Sequence, residues 1–409
     1  MPSTNVQIGT LDDYLDRICE QIQVTETQFQ TAVKRYRHVG QWLTEKETPL
    51  DRLSPAVFPQ GSMLQRTTIR PMRIGKETVP FDIDTVCRCE FDPFGKTSQS
   101  LYGSVLARLI AHADFERRIQ EAQKELGTSG KCVRLAYTDD DFYLDVVPTC
   151  KDPSDPEGIR LYMCNPDKWQ KYSKPIETWK RTDPFRFAAW LQVRSEVGRR
   201  LVEKRVVASV APVPPQEEAD VKAPLRRVAQ LIKRMRDVDF LGDKCRPTSI
   251  MLTTLAGRHY RGEVSIADGL DTVLNGIAAQ ISAAGSGRIT VPNPADELAP
   301  HDGGVEDLAK PLDAAAYDKF CKMIEKMRRV LAAAKSAQGV PKLFPVLSES
   351  FGQSVVKRAF NSAEEAVRKA SGGGLLGASV GTSQIHVLTE PKYQNAVQPV
   401  RGSDFHQDH

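Results

Sequence analysis

No charge of one sign dominates this 409-residue chain, in which 56 Lys and Arg face 52 Asp and Glu for a net charge of +4. Wholesale coating of nucleic acid is therefore not indicated, and anionic ligands would be met by small basic clusters. Zinc-type cysteine spacing is also missing. The eight cysteines stand at 19, 87, 89, 132, 150, 164, 245 and 321, and Cys87 and Cys89 form C-x-C rather than C-x-x-C. Reduced, mostly buried thiols in a cytoplasmic protein are expected. None of the seven histidines sits at metal-ligand spacing. Met1-Pro2-Ser3-Thr4-Asn5 carries no basic n-region, so no secretory signal is expected. The most apolar stretch, Val273 to Gly287, is interrupted by Asn275, Gln280 and three glycines, which excludes it as a membrane span. The glycine-rich run Ser371 to Gly381 lacks G-K-[ST] and is no P-loop.

What is present is a 40% hydrophobic chain, long enough for two domains. Leu11, Tyr14, Leu15, Ile18, Ile22, Phe29, Val33, Tyr36 and Trp42 recur at helical intervals and predict one long helical segment over Leu11–Glu47. A strand-rich block follows from Val57 to Pro148, with a helix over Leu101–Leu126. Lys131–Tyr137 and Phe142–Val147 read as two strands joined by the acidic turn Thr138-Asp139-Asp140-Asp141. Asp183-Pro184 opens a helix running towards Val207, and Ala211 to Glu218 is a Pro-rich linker or loop. Leu225–Ile281 is helical, 293–304 a Pro/Gly-rich loop, and Ala314–Lys335 and Ser354–Lys369 two further helices. A polar, Gly-rich tail from Ser371 is expected to be mobile. The fold class is thus α+β, with a mixed lobe packed on a helical one and a cleft between them. The divisions expected are a catalytic lobe with its N-terminal helix (1–207), a linker (208–224), a helical lobe (225–370) and a tail (371–409).

Phe81-Asp82-Ile83-Asp84-Thr85-Val86 reads as a strand, which places Asp82 and Asp84 on one face with Ile83 behind. Two carboxylates held so close repel each other, and a divalent cation with a taste for hard oxygen resolves the conflict. Asp145 stands inside the apolar strand Tyr143-Leu144-Asp145-Val146-Val147, where an unpaired charge would be costly. A third carboxylate facing the same metals explains it. Glu90 and Asp92 share the D-x-D spacing. An extended strand rising about 3.3 Å per residue puts Glu90 roughly 20 Å from Asp84, out of reach. Upstream, Gln60-Gly61-Ser62 offers backbone amides and a hydroxyl to phosphate oxygens. Tyr137, Phe142 and Tyr143 could stack on bases, but core packing is the expectation for each.

Q-G-S-M-L-Q-R-T-T-I-R-P (Gln60 to Pro71), F-D-I-D (Phe81 to Asp84) and Y-L-D-V-V-P (Tyr143 to Pro148) together resemble the polymerase-β-like nucleotidyltransferases. The Q-G-S…T-x-I-R-P form more narrowly resembles the bacterial cGAS/DncV-like enzymes, the CD-NTase family of antiphage signalling. The stretch from Arg227 to Arg236, then Arg246-Pro-Thr-Ser249, is similar to that family's second conserved region.

The resemblance implies a synthase joining two or three NTPs, ATP among them, into a cyclic second messenger that acts on a separate effector protein. It implies two Mg²⁺ ions, replaceable by Mn²⁺, on Asp82, Asp84 and Asp145. Gln60, Gly61 and Ser62 would hold the donor phosphates, and Lys233 and Ser249 the triphosphate tail. Alternatives are a linear or RNA-modifying nucleotidyltransferase, an inactive nucleotide-binding homologue, and a nucleic-acid binder using the basic helix at 225–236. Animal cGAS carries a zinc-binding insertion for DNA; no Cys/His cluster here could supply one, so direct activation by DNA is not suggested. A monomer without membrane attachment is expected.

Overall fold

The computed structural model describes residues 6–70, 72–74, 77–155, 157–196, 223–243, 245–301, 304–372, 376–378 and 385–387. The chain enters through β1 (Val6–Ile8), α1 (Leu11–Ile22) and α2 (Glu26–Leu43). The single helix expected over 11–47 is interrupted because Thr25 and Gln28 form a capping box that starts α2 afresh. Next come β2 (Ala56–Pro59), the one-turn helix α3 (Gly61–Gln65), the hairpin β3 (Met72–Ile74) and β4 (Glu77–Val79), and the nine-residue β5 (Phe81–Cys89). The helix expected over 101–126 is two, α4 (Ser98–Ile110) and α5 (Ala113–Leu126), separated where His112 turns extended.

The strands β6 (Val133–Tyr137) and β7 (Phe142–Lys151) flank the acidic turn as the sequence predicts. They are followed by β8 (Leu161–Cys164), β9 (Trp179–Thr182) and α6 (Pro184–Ser195), which Asp183 caps by accepting from the Arg186 amide. The linker expected at 208–224, with Ala211 to Glu218, lies outside the described residues except for its last two positions. Helices α7 (Pro224–Asp239), α8 (Ser249–His259) and α9 (Ile266–Ala284) follow. The expected 293–304 loop contains a short helix, α10 (Pro294–Leu298), because Asn293 caps the Ala295 amide. The chain continues as α11 (Ala314–Ser336), an unanticipated α12 (Val340–Phe351) that carries Pro345 inside it, and α13 (Gln353–Gly372). In the stretch expected to be a mobile tail, β10 (Leu376–Ala378) and β11 (Ile385–Val387) pair with each other, and β11 also pairs with β1.

The central sheet runs β2-β5-β7-β8-β9, with β6 also paired to β7. β5 and β7 are parallel and the other pairings antiparallel. β7 is buried along its length up to Lys151, as a strand covered on both faces must be. β5 instead alternates, with Phe81, Ile83, Thr85 and Cys87 inward and Asp82 and Asp84 outward. One hydrophobic core joins the sheet to α2, α4 and α5 through Phe29, Val33, Tyr36, Leu101, Val105 and Phe115. A second joins α7, α8, α9, α11, α12 and α13, and it also takes Tyr14, Leu15, Ile18 and Ile22 of α1. The result is a bilobed α+β fold in which the break after Ile22 lets the first two helices serve different cores.

Leu144 is fully buried, in register with Ile83 on one side and Leu135 on the other. Truncation of a side chain so placed costs about 2–5 kcal/mol. Leu144→Ala should therefore lower unfolding stability by that amount in urea titration; a loss well under 1 kcal/mol would contradict the central position of β7.

Candidate active site

Strand register brings the acidic residues together. Asp84 on β5 stands directly beside Asp145 on the parallel β7, and Asp82 lies two residues earlier on the same face of β5. β2 delivers the other half of the site: Pro59 pairs with Thr85, so the chain leaves β2 at the level of Asp84, and the Gln60 amide donates to the Asp84 carbonyl at 2.9 Å. Gly61 then has φ +59, and a Cβ there would lie 2.0 Å from Asp84 Oδ2. Only glycine lets the α3 turn sit against this carboxylate. Ser62 follows, its hydroxyl 3.0 Å from the Thr68 hydroxyl.

These residues floor a cleft of about 570 Å³ whose opposite wall is built by Lys233, Arg236, Arg246 and Ser249. All the residues proposed from sequence for the metal and donor sites except Asp145 line it. Asp145 is 5% exposed and stands beside Asp84 in the sheet. Glu90 and Asp92 do not line the cleft; Glu90 instead pairs with Lys151 and Asp92 caps the Phe94 amide.

The cationic wall is organised rather than loose. α7 is buried from Leu225 through Arg236, so its basic residues are not a solvated face and are unavailable to a nucleic-acid duplex. Lys233 donates to the hydroxyl and carbonyl of Thr67 at 2.7 and 3.1 Å. Arg236 is held by Asp237 and donates to Ser249 Oγ at 3.1 Å. Ser249 opens α8, with Thr248 capping the Met251 amide, so the positive end of that helix also faces the cleft. Tyr137, Phe142 and Tyr143 are all buried, which assigns them to packing as expected.

Crowding marks the carboxylates. Withdrawal from water, then repulsion from Asp145, raises the Asp82 carboxyl from its usual range to about 6. The same withdrawal, with repulsion from Asp82 and Asp145, takes Asp84 to about 7. Arg134, which sequence reasoning passed over, counters this. It lies opposite Asp145 on β6 and grips both carboxylate oxygens through Nε at 2.6 Å and Nη2 at 2.5 Å. Its only sequence signal is its offset from the β6–β7 turn, which makes it the cross-strand partner of Asp145.

Hard oxygen donors that are hard to ionise together suit a divalent cation. Asp82 and Asp84 fit that role, and the Asp84 carboxylate has no hydrogen bond or ion pair among the described residues. No cluster of three His, Cys, Asp or Glu among the described residues is arranged around a metal position, and the third carboxylate, Asp145, is bonded to Arg134.

Residues 10–194 match the family described as Second Messenger Oligonucleotide or Dinucleotide Synthetase domain. A c-di-GMP synthase of Roseivirga ehrenbergii is 27% identical over 373 residues, 89% of this chain and 90% of the relative. The cyclic dinucleotide synthase CdnG of Bradyrhizobium diazoefficiens is 26% identical over 300 residues, 69% of this chain and 67% of the relative. The solved structure of the Bradyrhizobium diazoefficiens CD-NTase CdnG in complex with GTP superposes with a TM-score of 0.62 at 20% identity, covering 87% of this chain and 99% of that one.

Raised carboxyl pKa values fix a direction for stability. Below about pH 3.8 Asp84 is protonated in both folded and unfolded chains and costs nothing. As pH rises towards 7 the unfolded chain sheds the proton first, so the folded state loses ground, and above 7 the penalty is complete. In chelator, Asp84→Asn should be more stable than wild type by roughly 2 kcal/mol at pH 8, allowing for solvent screening in an open cleft. The two should converge near pH 4. Equal stability at pH 8 would refute the crowding.

Proposed function

We propose that this chain, like the cGAS/DncV-like nucleotidyltransferases it resembles, joins nucleoside triphosphates into a cyclic dinucleotide with release of pyrophosphate. The observation that carries this reading is the in-register placement of Asp145 beside Asp84, which with Asp82 floors a cleft with a cationic wall. Two named relatives make cyclic dinucleotides, and one is a c-di-GMP synthase. GTP is therefore the first substrate to test, ahead of ATP or a mixed pair.

Asp82 and Asp84 would hold Mg²⁺ or Mn²⁺ over the donor triphosphate, and Asp145 would complete the acceptor side. Such cations supply charge neutralisation for the entering and leaving oxygens of an in-line displacement. The chain's own groups do the remaining work. The amides at Gly61 and Ser62 and the Ser62 hydroxyl hold donor phosphates, with Gln60 tied to the Asp84 backbone so that the turn and the carboxylate keep their spacing. Lys233, steadied by Thr67, and Ser249, steadied by Arg236, meet the triphosphate tail, and Arg246 extends the same wall. Ring closure repeats the transfer, with the linear intermediate's free hydroxyl on the Asp145 side. The product carries a defence signal to a separate effector protein in the cytoplasm. Among the described residues no helix is long and apolar enough to cross a membrane.

Incubation of the purified chain with all four NTPs and Mg²⁺ should yield a phosphatase-resistant cyclic dinucleotide containing guanine by mass spectrometry. Asp82→Asn with Asp84→Asn should abolish it. A phosphatase-sensitive linear product, or a strict need for an RNA acceptor, would contradict the proposal.

A further inference from the structure

Arg134 is an odd neighbour for a cation site. Its guanidinium takes both oxygens of Asp145 and reaches to 3.5 Å from Asp82 Oδ1. A fork-to-fork contact of this kind fills the in-plane lone pairs of the carboxylate. The group is fixed from behind as well: its plane lies 5.0 Å from the Tyr143 ring centroid, and the Tyr143 hydroxyl donates to Glu125 at 2.7 Å. β6 pairs antiparallel to β7 so that Arg134 and Asp145 are direct partners; the contact is written into sheet register and does not depend on a flexible loop.

Any divalent cation that bonded an Asp145 oxygen would sit beside this guanidinium, and like charges at that range repel. A triphosphate entering between the carboxylates and the Lys233–Arg236 wall would bring enough negative charge to offset the repulsion. We infer that Arg134 is a positioning residue that holds Asp145 against divalent cations until nucleotide fills the cleft, so that acceptor-side cation binding is coupled to substrate. This rests on reading the three carboxylates as a cation site. Arg134 thereby keeps Asp145 turned in one orientation in the empty enzyme, and it makes the empty enzyme a poor metal binder. Burial alone would loosen the guanidinium proton, but the hydrogen bond and charge of Asp145 and the charge of Asp82 outweigh it, so the proton is held more firmly than in water and the charge is permanent.

The test is Mn²⁺ titration of the nucleotide-free protein followed by electron paramagnetic resonance. Arg134→Gln, which is shorter and keeps an N–H donor near the Nε position but loses the charge, should bind Mn²⁺ about tenfold more tightly than wild type. The gap should narrow when a non-hydrolysable GTP analogue is present. Arg134→Lys, which keeps the charge, should stay within about threefold of wild type. Unchanged affinity in Arg134→Gln, alongside measurable wild-type binding, would overturn the role of Arg134 and leave the carboxylate site standing. Absence of Mn²⁺ binding in wild type, with or without nucleotide, would overturn both. Should Arg134→Gln fail to fold, the ¹⁵Nε–H resonance of Arg134 in wild type reads the same competition: it should shift when Mg²⁺ and the analogue are added together, and an unmoved resonance would overturn the inference.

Discussion

Three carboxylates held at neighbouring strand positions are the constraint around which this molecule is arranged. Asp82, Asp84 and Asp145 repel one another, and the parallel β5–β7 pairing prevents them from separating. Such an arrangement is unfavourable in the empty protein. It persists because the strands beneath are buried on an apolar core that pays no attention to the charges above: Ile83, Leu144 and Leu135 pack with essentially no exposure. The sheet's stability thus supports a local arrangement that is poor by itself, as sites committed to a ligand commonly do.

The second lobe answers the charge. α7 is buried over twelve residues from Leu225 to Arg236, and its cations are each tied to a specific oxygen: Arg227 to Asp16, Lys233 to Thr67, Arg234 to the Arg70 carbonyl, Arg236 to Asp237. Thr67 and Arg70 lie on the segment between α3 and β3, so α7 is joined to the phosphate-binding side by the same bonds that orient its side chains. Hydrogen bonds to these acceptors hold the cationic side chains in fixed orientations. A polyanion between the two walls would complete both.

Much of this was legible in residues 60–148. Alternation along a strand was enough to put Asp82 and Asp84 on one face, and the cost of an acid inside an apolar run was enough to single out Asp145. Strand rise separated Glu90 from the site. Other features resist a one-dimensional reading. Arg134 is an ordinary alternating residue until β6 and β7 are paired in register. The face of α1 is evident from its spacing, but only packing reveals that it serves the helical core rather than the sheet. The break before α2 was written as Thr25…Gln28 and was obscured by an apolar pattern that continues across it. α12 was hidden by Pro345 and by the glycines at 339 and 352 that bracket it. That the basic residues of α7 are buried could not be read from the sequence, because periodicity cannot say that a helix is surrounded.

The account stands or falls on whether the carboxylate floor takes divalent cations when nucleotide is present. Crystals grown with Mn²⁺ and a non-hydrolysable GTP analogue allow this to be read directly from anomalous diffraction. The account predicts manganese peaks at about 2.1–2.2 Å from carboxylate oxygens of Asp82 and Asp84, with the triphosphate against Gly61 and Ser62. Nucleotide bound in the cleft with no metal peak at those oxygens would contradict it.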